Sequence, residues 1–145
     1  MKPVNEAKIT FLSRSANEGF ARTAAACFAA QLDPTLDEIN DIKTAVSEAV
    51  TNCIVHAYPE ALGLVTLRLR LFEDNVLEIM VKDAGVGIPD VEKARKPLFT
   101  TGGDDRSGMG FTIMESFMDK LKVRSLPGKG TTVTMRRRIS RRLQA

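Results

Sequence analysis

Tryptophan is absent, tyrosine occurs once, and aromatic residues make up only 6% of the 145-residue chain. Single-stranded nucleic-acid binders stack bases on aromatic rings, and this chain offers few of them. Cysteine occurs twice, as Cys27 and Cys53. That count leaves no disulfide framework, and both fall at apolar helical positions, so both are expected as small buried hydrophobes. No apolar run approaches the length of a membrane span. The N-terminus lacks a basic region followed by an apolar stretch. A cytoplasmic location with no membrane contact is the expectation. Neither sign of charge dominates, with 21 Lys and Arg against 18 Asp and Glu. The small excess sits in Arg136, Arg137, Arg138, Arg141 and Arg142. No aromatic residue interleaves them, so they are expected as a solvated strand end and a frayed terminus rather than a nucleic-acid surface. A Walker-type phosphate loop is also missing. Gly128-Lys129-Gly130-Thr131 mimics its ending, but lies in a hairpin turn with no helix after it.

What is present suits one domain spanning residues 1–145, with 43% apolar and 27% charged residues. Ala7 to Ser13 alternates as a half-buried strand. Ser15 and Glu18 stand at capping-box spacing, predicting a helix whose core side carries Phe20, Ala24, Cys27, Phe28 and Gln31. Asp33-Pro34 ends it. Thr35 and Glu38 repeat the capping spacing and open a second helix to about Ala57, with the stripe Ile39, Ile42, Val46, Ala49, Val50 and Cys53. Val65 to Leu71 and Leu77 to Val81 alternate as a hairpin turned at Glu73-Asp74-Asn75. A glycine-containing loop covers Asp83 to Pro89, a short helix follows near Val91 to Arg95, and Thr100 to Gly108 is a polar loop. A third long helix is expected over Met109 to Leu121, facing the core through Phe111, Met114, Met118 and Leu121. Lys122 to Ser125 and Thr131 to Arg138 form the last hairpin. This order predicts an α+β two-layer sandwich: a mixed β-sheet covered on one face by helices.

Three stretches carry more than the core needs. Glu48 and Asn52 are i,i+4 neighbours on the side of the second helix away from the Val46–Cys53 stripe. Asn52 is also a poor residue for a helix interior. Two polar residues alone read as a solvent face. Asp83-Ala84-Gly85-Val86-Gly87-Ile88-Pro89 follows a buried strand, where glycines let a flat ligand come close and a carboxylate can accept from an exocyclic amino group. A capped turn would read the same way. Gly108-Met109-Gly110 opens the third helix, whose free N–H groups suit a phosphate. A flexible connector is the plain alternative.

In combination, Glu-x-x-x-Asn on a helix, Asp-x-Gly-x-Gly after a strand and a Gly-x-Gly helix start resemble the GHKL superfamily of ATPases and kinases. Ser47 to Asn52, Pro97-Leu98-Phe99-Thr100-Thr101, and Arg106 to Glu115 are similar to the anti-sigma-F family of sporulation serine kinases. So are Phe20-Ala21-Arg22 and Gln31 to Thr35, and the resemblance covers nearly the whole chain. It implies the Bergerat ATP-binding fold, ATP and Mg²⁺. Glu48 would be the catalytic base and Asn52 the metal ligand. Asp83 would bind adenine, with Gly85, Gly87 and Thr132 assisting. Gly108 and Gly110 would touch phosphate, and Thr100, Thr101, Arg106 and Ser107 would belong to a lid over the nucleotide. Arg22 would contact protein partners. Those partners would be the sigma-F factor, held inactive by a homodimer, and an anti-anti-sigma factor phosphorylated on serine. A detached histidine-kinase catalytic domain and a nucleotide-gated binding protein without turnover stay open. The only histidine, His56, is not flanked like a phosphoacceptor.

Overall fold

The computed structural model describes residues 2–96 and 109–140. Alternating apolar residues lay down the first strand, β1, over Asn5–Leu12. Helix α1 spans Ala16–Ala29 and ends in a short 3₁₀ turn, Ala30–Leu32. Helix α2 spans Leu36–Asn52 and runs on into a wider, π-helical turn, Cys53–Ala57. Strands β2 (Leu64–Phe72) and β3 (Val76–Asp83) form the first hairpin. Asp74 and Asn75 turn it at φ of 66° and 61°, a left-handed conformation these two residue types tolerate. A single turn, α3, covers Val91–Ala94, and α4 covers Gly110–Phe117. Strands β4 (Lys120–Leu126) and β5 (Gly130–Arg138) close the described chain.

The five strands lie in the order β1-β2-β3-β5-β4. Every neighbouring pair is antiparallel, so the sheet is not mixed as expected. The excursion through α4 returns β4 in the same direction as β3, which would make a parallel pair if they touched. β5, the second arm of the hairpin, inserts between them. The α+β character and the helices packed against one face follow the sequence reading. Val65, Leu67, Leu69, Leu77, Ile79, Val81, Val133 and Met135 are buried under the helices. Burying one such side chain contributes about 1.5–3 kcal/mol.

Helix α1 is rotated from its expected face. Ala21, Ala25 and Ala29 are fully buried, whereas Phe20 and Cys27 are exposed. Alanines at i, i+4 and i+8 leave no bulk on that side, so α1 comes close to α2, which buries its own Ala45 and Ala49. Phe20 instead meets Phe11 edge-on, with ring centroids 6.3 Å apart. The Ser15 side chain makes no cap, since Ser15 itself has helical backbone angles and Glu18 pairs with Arg22 at 3.1 Å. Helix α4 is shorter than expected. Met118 already has an extended backbone, and Leu121 belongs to β4. The arginines of β5 are paired rather than simply solvated. Arg136 bonds Glu78 at 2.8 Å and lies over the Phe72 ring, and Arg137 bonds Asp41 at 2.7 Å. Arg141 and Arg142 lie outside the described residues. Among the described residues no helix is long and apolar enough to cross a membrane.

The capping box at the start of α2 forms as expected and does a second task. Thr35 Oγ1 accepts from the Glu38 N–H at 3.1 Å, and Glu38 Oε1 accepts from the Thr35 N–H at 2.9 Å. The other carboxylate oxygen accepts from the Ser140 N–H and hydroxyl at 2.9 and 3.0 Å, fastening the chain after β5 to α2. Burial works against the charged carboxylate. The hydrogen bonds from Ser140 and Thr35 and the Arg137 charge outweigh it and hold Glu38 below its ordinary value. A lowered folded-state value stabilises the fold at every pH above the unfolded value, and this is lost as pH falls through the folded one. Glu38→Gln removes the charge and sets an amide donor against other donors. It should cost about 2 kcal/mol at pH 7, the scale of hydrogen bonds to a charged group. In denaturant melts the difference from the parent should shrink below about pH 4. A difference that stays constant down to about pH 3 would contradict this role.

Candidate functional site

Helix α2 buries Ile42, Ala45, Val46, Ala49 and Val50, which leaves the other side of its last turns for Glu48 and Asn52. Both are half-buried. The first residue of α4 closes on them. A methyl placed on Gly110 would lie 3.3 Å from Glu48 Oε1 and 3.5 Å from both polar atoms of the Asn52 side chain. Glycine therefore lets the N-terminus of α4 sit directly against the carboxylate and the amide. Met109 provides no side-chain cap for that end. The N–H groups of a helix's first turn have no partner within the helix, and together with its dipole they favour an anion. Glu48, Asn52 and Gly110, read from two separate motifs, are thus brought together.

The second half of the site is built where α2 stops. The π-helical turn leaves the Ala57 carbonyl free to accept from the Val86 N–H at 3.0 Å, which pins the loop after β3 to the helix end. A side chain on Gly85 would run into that same carbonyl. Gly87 turns the loop at φ 78°, and the Val86 carbonyl accepts from the Gly128 N–H at 2.7 Å. Tyr58 braces the loop from below: its hydroxyl accepts from the Ala84 N–H at 2.7 Å and donates to the Leu64 carbonyl at 2.8 Å. Burial raises the Tyr58 phenol above its ordinary value, and the nearby Asp83 charge adds to this, while the Ala84 bond works the other way. The phenol stays protonated, as donation to Leu64 requires.

Asp83 ends β3 and is 6% exposed. Its Oδ1 accepts from the Gly85 N–H at 3.0 Å and from the Thr131 N–H at 3.2 Å. Its Oδ2 accepts from the Cys53 thiol at 3.4 Å. Burial, then the neighbouring Asp83 charge, push that thiol far above its ordinary value, so it remains a donor. Thr131, not Thr132, stands beside Asp83. Residues 131, 133 and 135 are buried toward the helices, which turns Thr132 to the open face, opposite Lys82 and Arg124. The Thr131 hydroxyl shares a 2.8 Å bond with Ser125 Oγ, which also accepts from the Ile88 N–H at 2.7 Å.

Thr100, Thr101, Arg106, Ser107 and Gly108 lie outside the described residues. Arg22 lies on the exposed side of α1 next to Glu18. Ala25 and Ala29 of the same helix are buried against the core instead. Cys53, Tyr58 and Thr131 were missed from the sequence as parts of this site. For Thr131 a signal existed. Asp83 and Thr131 are register partners on one face, as the alternation through Val133 and Met135 requires.

Residues 11–137 match the family described as the histidine kinase-like ATPase domain. The anti-sigma F factor of Caldanaerobacter subterraneus subsp. tengcongensis is 59% identical over 94% of this chain and 96% of its own. That of Geobacillus kaustophilus is 54% identical over 94% of each chain. Among solved structures, the RsbU and RsbW domains of a Mycobacterium tuberculosis protein share the fold. The TM-score is 0.70 at 21% identity, over 96% of this chain and 34% of that longer one. The mycobacterial sensor histidine kinase MprB shares it at a TM-score of 0.57 and 15% identity, over 91% of this chain and 96% of its own.

The loop geometry depends on the Tyr58 hydroxyl. Tyr58→Phe leaves the Ala84 N–H and the Leu64 carbonyl without that partner and should cost about 1–3 kcal/mol. Hydrogen exchange at Ala84 should accelerate at least tenfold, on the order of that free energy. Unaltered exchange at Ala84 together with an unaltered melting temperature would show that the hydroxyl does not brace the loop.

Proposed function

Because the chain belongs to the histidine kinase-like ATPase family, in its anti-sigma F branch, we propose that it binds and inhibits the sporulation sigma-F factor. We propose also that, as an ATP-dependent serine kinase, it phosphorylates and so inactivates an anti-anti-sigma factor. The observation that carries this reading is the close approach of the start of α4, at Gly110, to Glu48 and Asn52, with room for no more than a methyl between them, which sets a base, a hard-cation ligand and an anion-favouring helix end side by side. The setting is cytoplasmic, and the working unit is a homodimer.

The roles follow from the chemistry of each group. Asp83, held by main-chain donors, accepts the exocyclic amino group of adenine, and Gly85 and Gly87 leave room for the ring. Purines with a carbonyl at that position are disfavoured. Thr131 steadies Asp83 through its main-chain N–H. The start of α4 receives phosphate oxygens on its N–H groups. The donor set also fits Mg²⁺. No group of three or more His, Cys, Asp or Glu able to hold a metal occurs among the described residues. Mg²⁺ bound beside a nucleotide needs only one or two side-chain oxygens, with phosphates and water completing the shell, and the Asn52 amide oxygen would supply one. When bound, the ion neutralises charge on the phosphate oxygens. Glu48 takes the proton of the partner's serine hydroxyl as its oxygen forms a bond to the γ-phosphorus. The bond from that phosphorus to the β,γ-bridging oxygen breaks, and ADP leaves. Thr100, Thr101, Arg106 and Ser107 are assigned to a lid over the nucleotide, and Gly108, with Gly110, to the phosphates. Arg22, exposed on α1, is assigned to the protein partners.

The test is incubation with γ-labelled ATP and the anti-anti-sigma partner. Labelled phosphoserine that survives acid is expected. Acid-labile label would favour transfer to histidine, and binding without labelled product would favour a nucleotide-gated binding protein. Glu48→Gln should cut transfer by about 10²-fold or more while ATP binding survives. Near-normal transfer would remove Glu48 from the role of base. In the same assay Arg22→Glu should lose partner labelling and sigma binding at unchanged ATP affinity. Unchanged labelling and unchanged sigma binding in that variant would move the partner surface elsewhere.

A further inference from the structure

Asp83 has four lone-pair positions to fill when ionised. Two main-chain N–H donors take Oδ1, and the Cys53 thiol takes Oδ2 at 3.4 Å. The spare accepting capacity of the carboxylate is therefore on the oxygen that Cys53 holds. Cys53 is 3% exposed and is the first residue of the π-helical turn that ends α2. It follows Asn52 directly, so one short stretch of backbone carries the amide assigned to the metal and the thiol set against Asp83.

We propose that Cys53 is a positioning residue for Asp83. Its thiol fixes the plane of the carboxylate so that Oδ2 meets the amino group of an adenine ring, and so sets the preference for 6-amino over 6-oxo purines. This rests on the adenine-binding reading of Asp83. A thiol suits the task because it donates weakly. It can orient Oδ2 without drawing off the electron density that an incoming amino group must use. Oδ1 needs no such help, since two rigid main-chain donors from different elements already fix it. Rotation about the axis through Oδ1 is the freedom left to the carboxylate, and the thiol removes it.

The experiment is titration calorimetry of the full chain with Mg-ATP and with Mg-ITP, for the parent, Cys53→Val, Cys53→Ala and Cys53→Ser. Valine, somewhat larger than the thiol, and alanine, smaller, both remove the donor, so the test does not depend on either variant alone being folded. The parent should prefer ATP. Cys53→Val and Cys53→Ala should lower ATP affinity about three- to tenfold, the scale of one ordinary hydrogen bond, and leave ITP affinity within about twofold. Cys53→Ser, which keeps a donor, should retain at least about half of the parent's preference for ATP. Equal losses for both nucleotides would mean that Cys53 only packs, and a full preference in Cys53→Val would mean that Asp83 needs no such partner. Either result overturns the proposal. A parent that binds both nucleotides equally overturns the adenine reading of Asp83 itself, which is a different failure and is seen before any variant is made.

Discussion

The buried carboxylate of Asp83 ties three separate parts of the chain to one point. Its bonds reach the loop after β3 through Gly85, strand β5 through Thr131, and the end of α2 through Cys53. A charge this deep is costly unless donors surround it. The donors can surround it only if the strand end, the neighbouring strand and the helix terminus are all in place. The remaining contacts of the region serve that convergence. Val86 bonds the Ala57 carbonyl, Gly128 bonds the Val86 carbonyl, and the single tyrosine links Ala84 to Leu64.

Helix α2 carries this arrangement to the other half of the site. One side of it is fully buried, through Ile42, Ala45, Val46 and Val50, so its rotation is fixed by the core. Fixed rotation sets where Glu48 and Asn52 face, and the glycine at the start of α4 allows a helix end to close on them. Small residues set the distances twice over. Alanines let α1 approach α2, and Gly110 lets α4 approach Glu48 and Asn52 without a side chain between them. The geometry used for function is thus a consequence of packing and not a separate construction.

Much of this was legible from residue order. The capping box of Thr35 and Glu38, the stripe of α2 and the alternation of β2 and β3 obey strong local rules, and they appear as read. The rotation of α1 did not. Its phenylalanines look like core by hydrophobicity, yet close helix contact rewards the alanines and leaves Phe20 at 52% exposure. The sheet was expected to be mixed because nothing local says that β5 inserts between β3 and β4. Cys53 was read as core and is buried, but its bond to Asp83 spans 30 positions in sequence, and no periodicity announces such a pair. Cys27, placed in the same class, is exposed because it shares the rotated face of α1. Thr131 was missed for a smaller reason: the parity of β5 relative to Asp83 decides which of two adjacent threonines faces the helices.

The proposed function requires Asn52 and the start of α4 to form one phosphate and metal site. A nuclear magnetic resonance titration of the isotope-labelled chain with Mg-ATP tests it most directly. The Asn52 side-chain amide and the Gly110 main-chain N–H should shift together and saturate at the same nucleotide concentration. Without Mg²⁺ the Gly110 response should persist and the Asn52 response should largely vanish. Bound ATP that leaves both signals where they were would contradict the account.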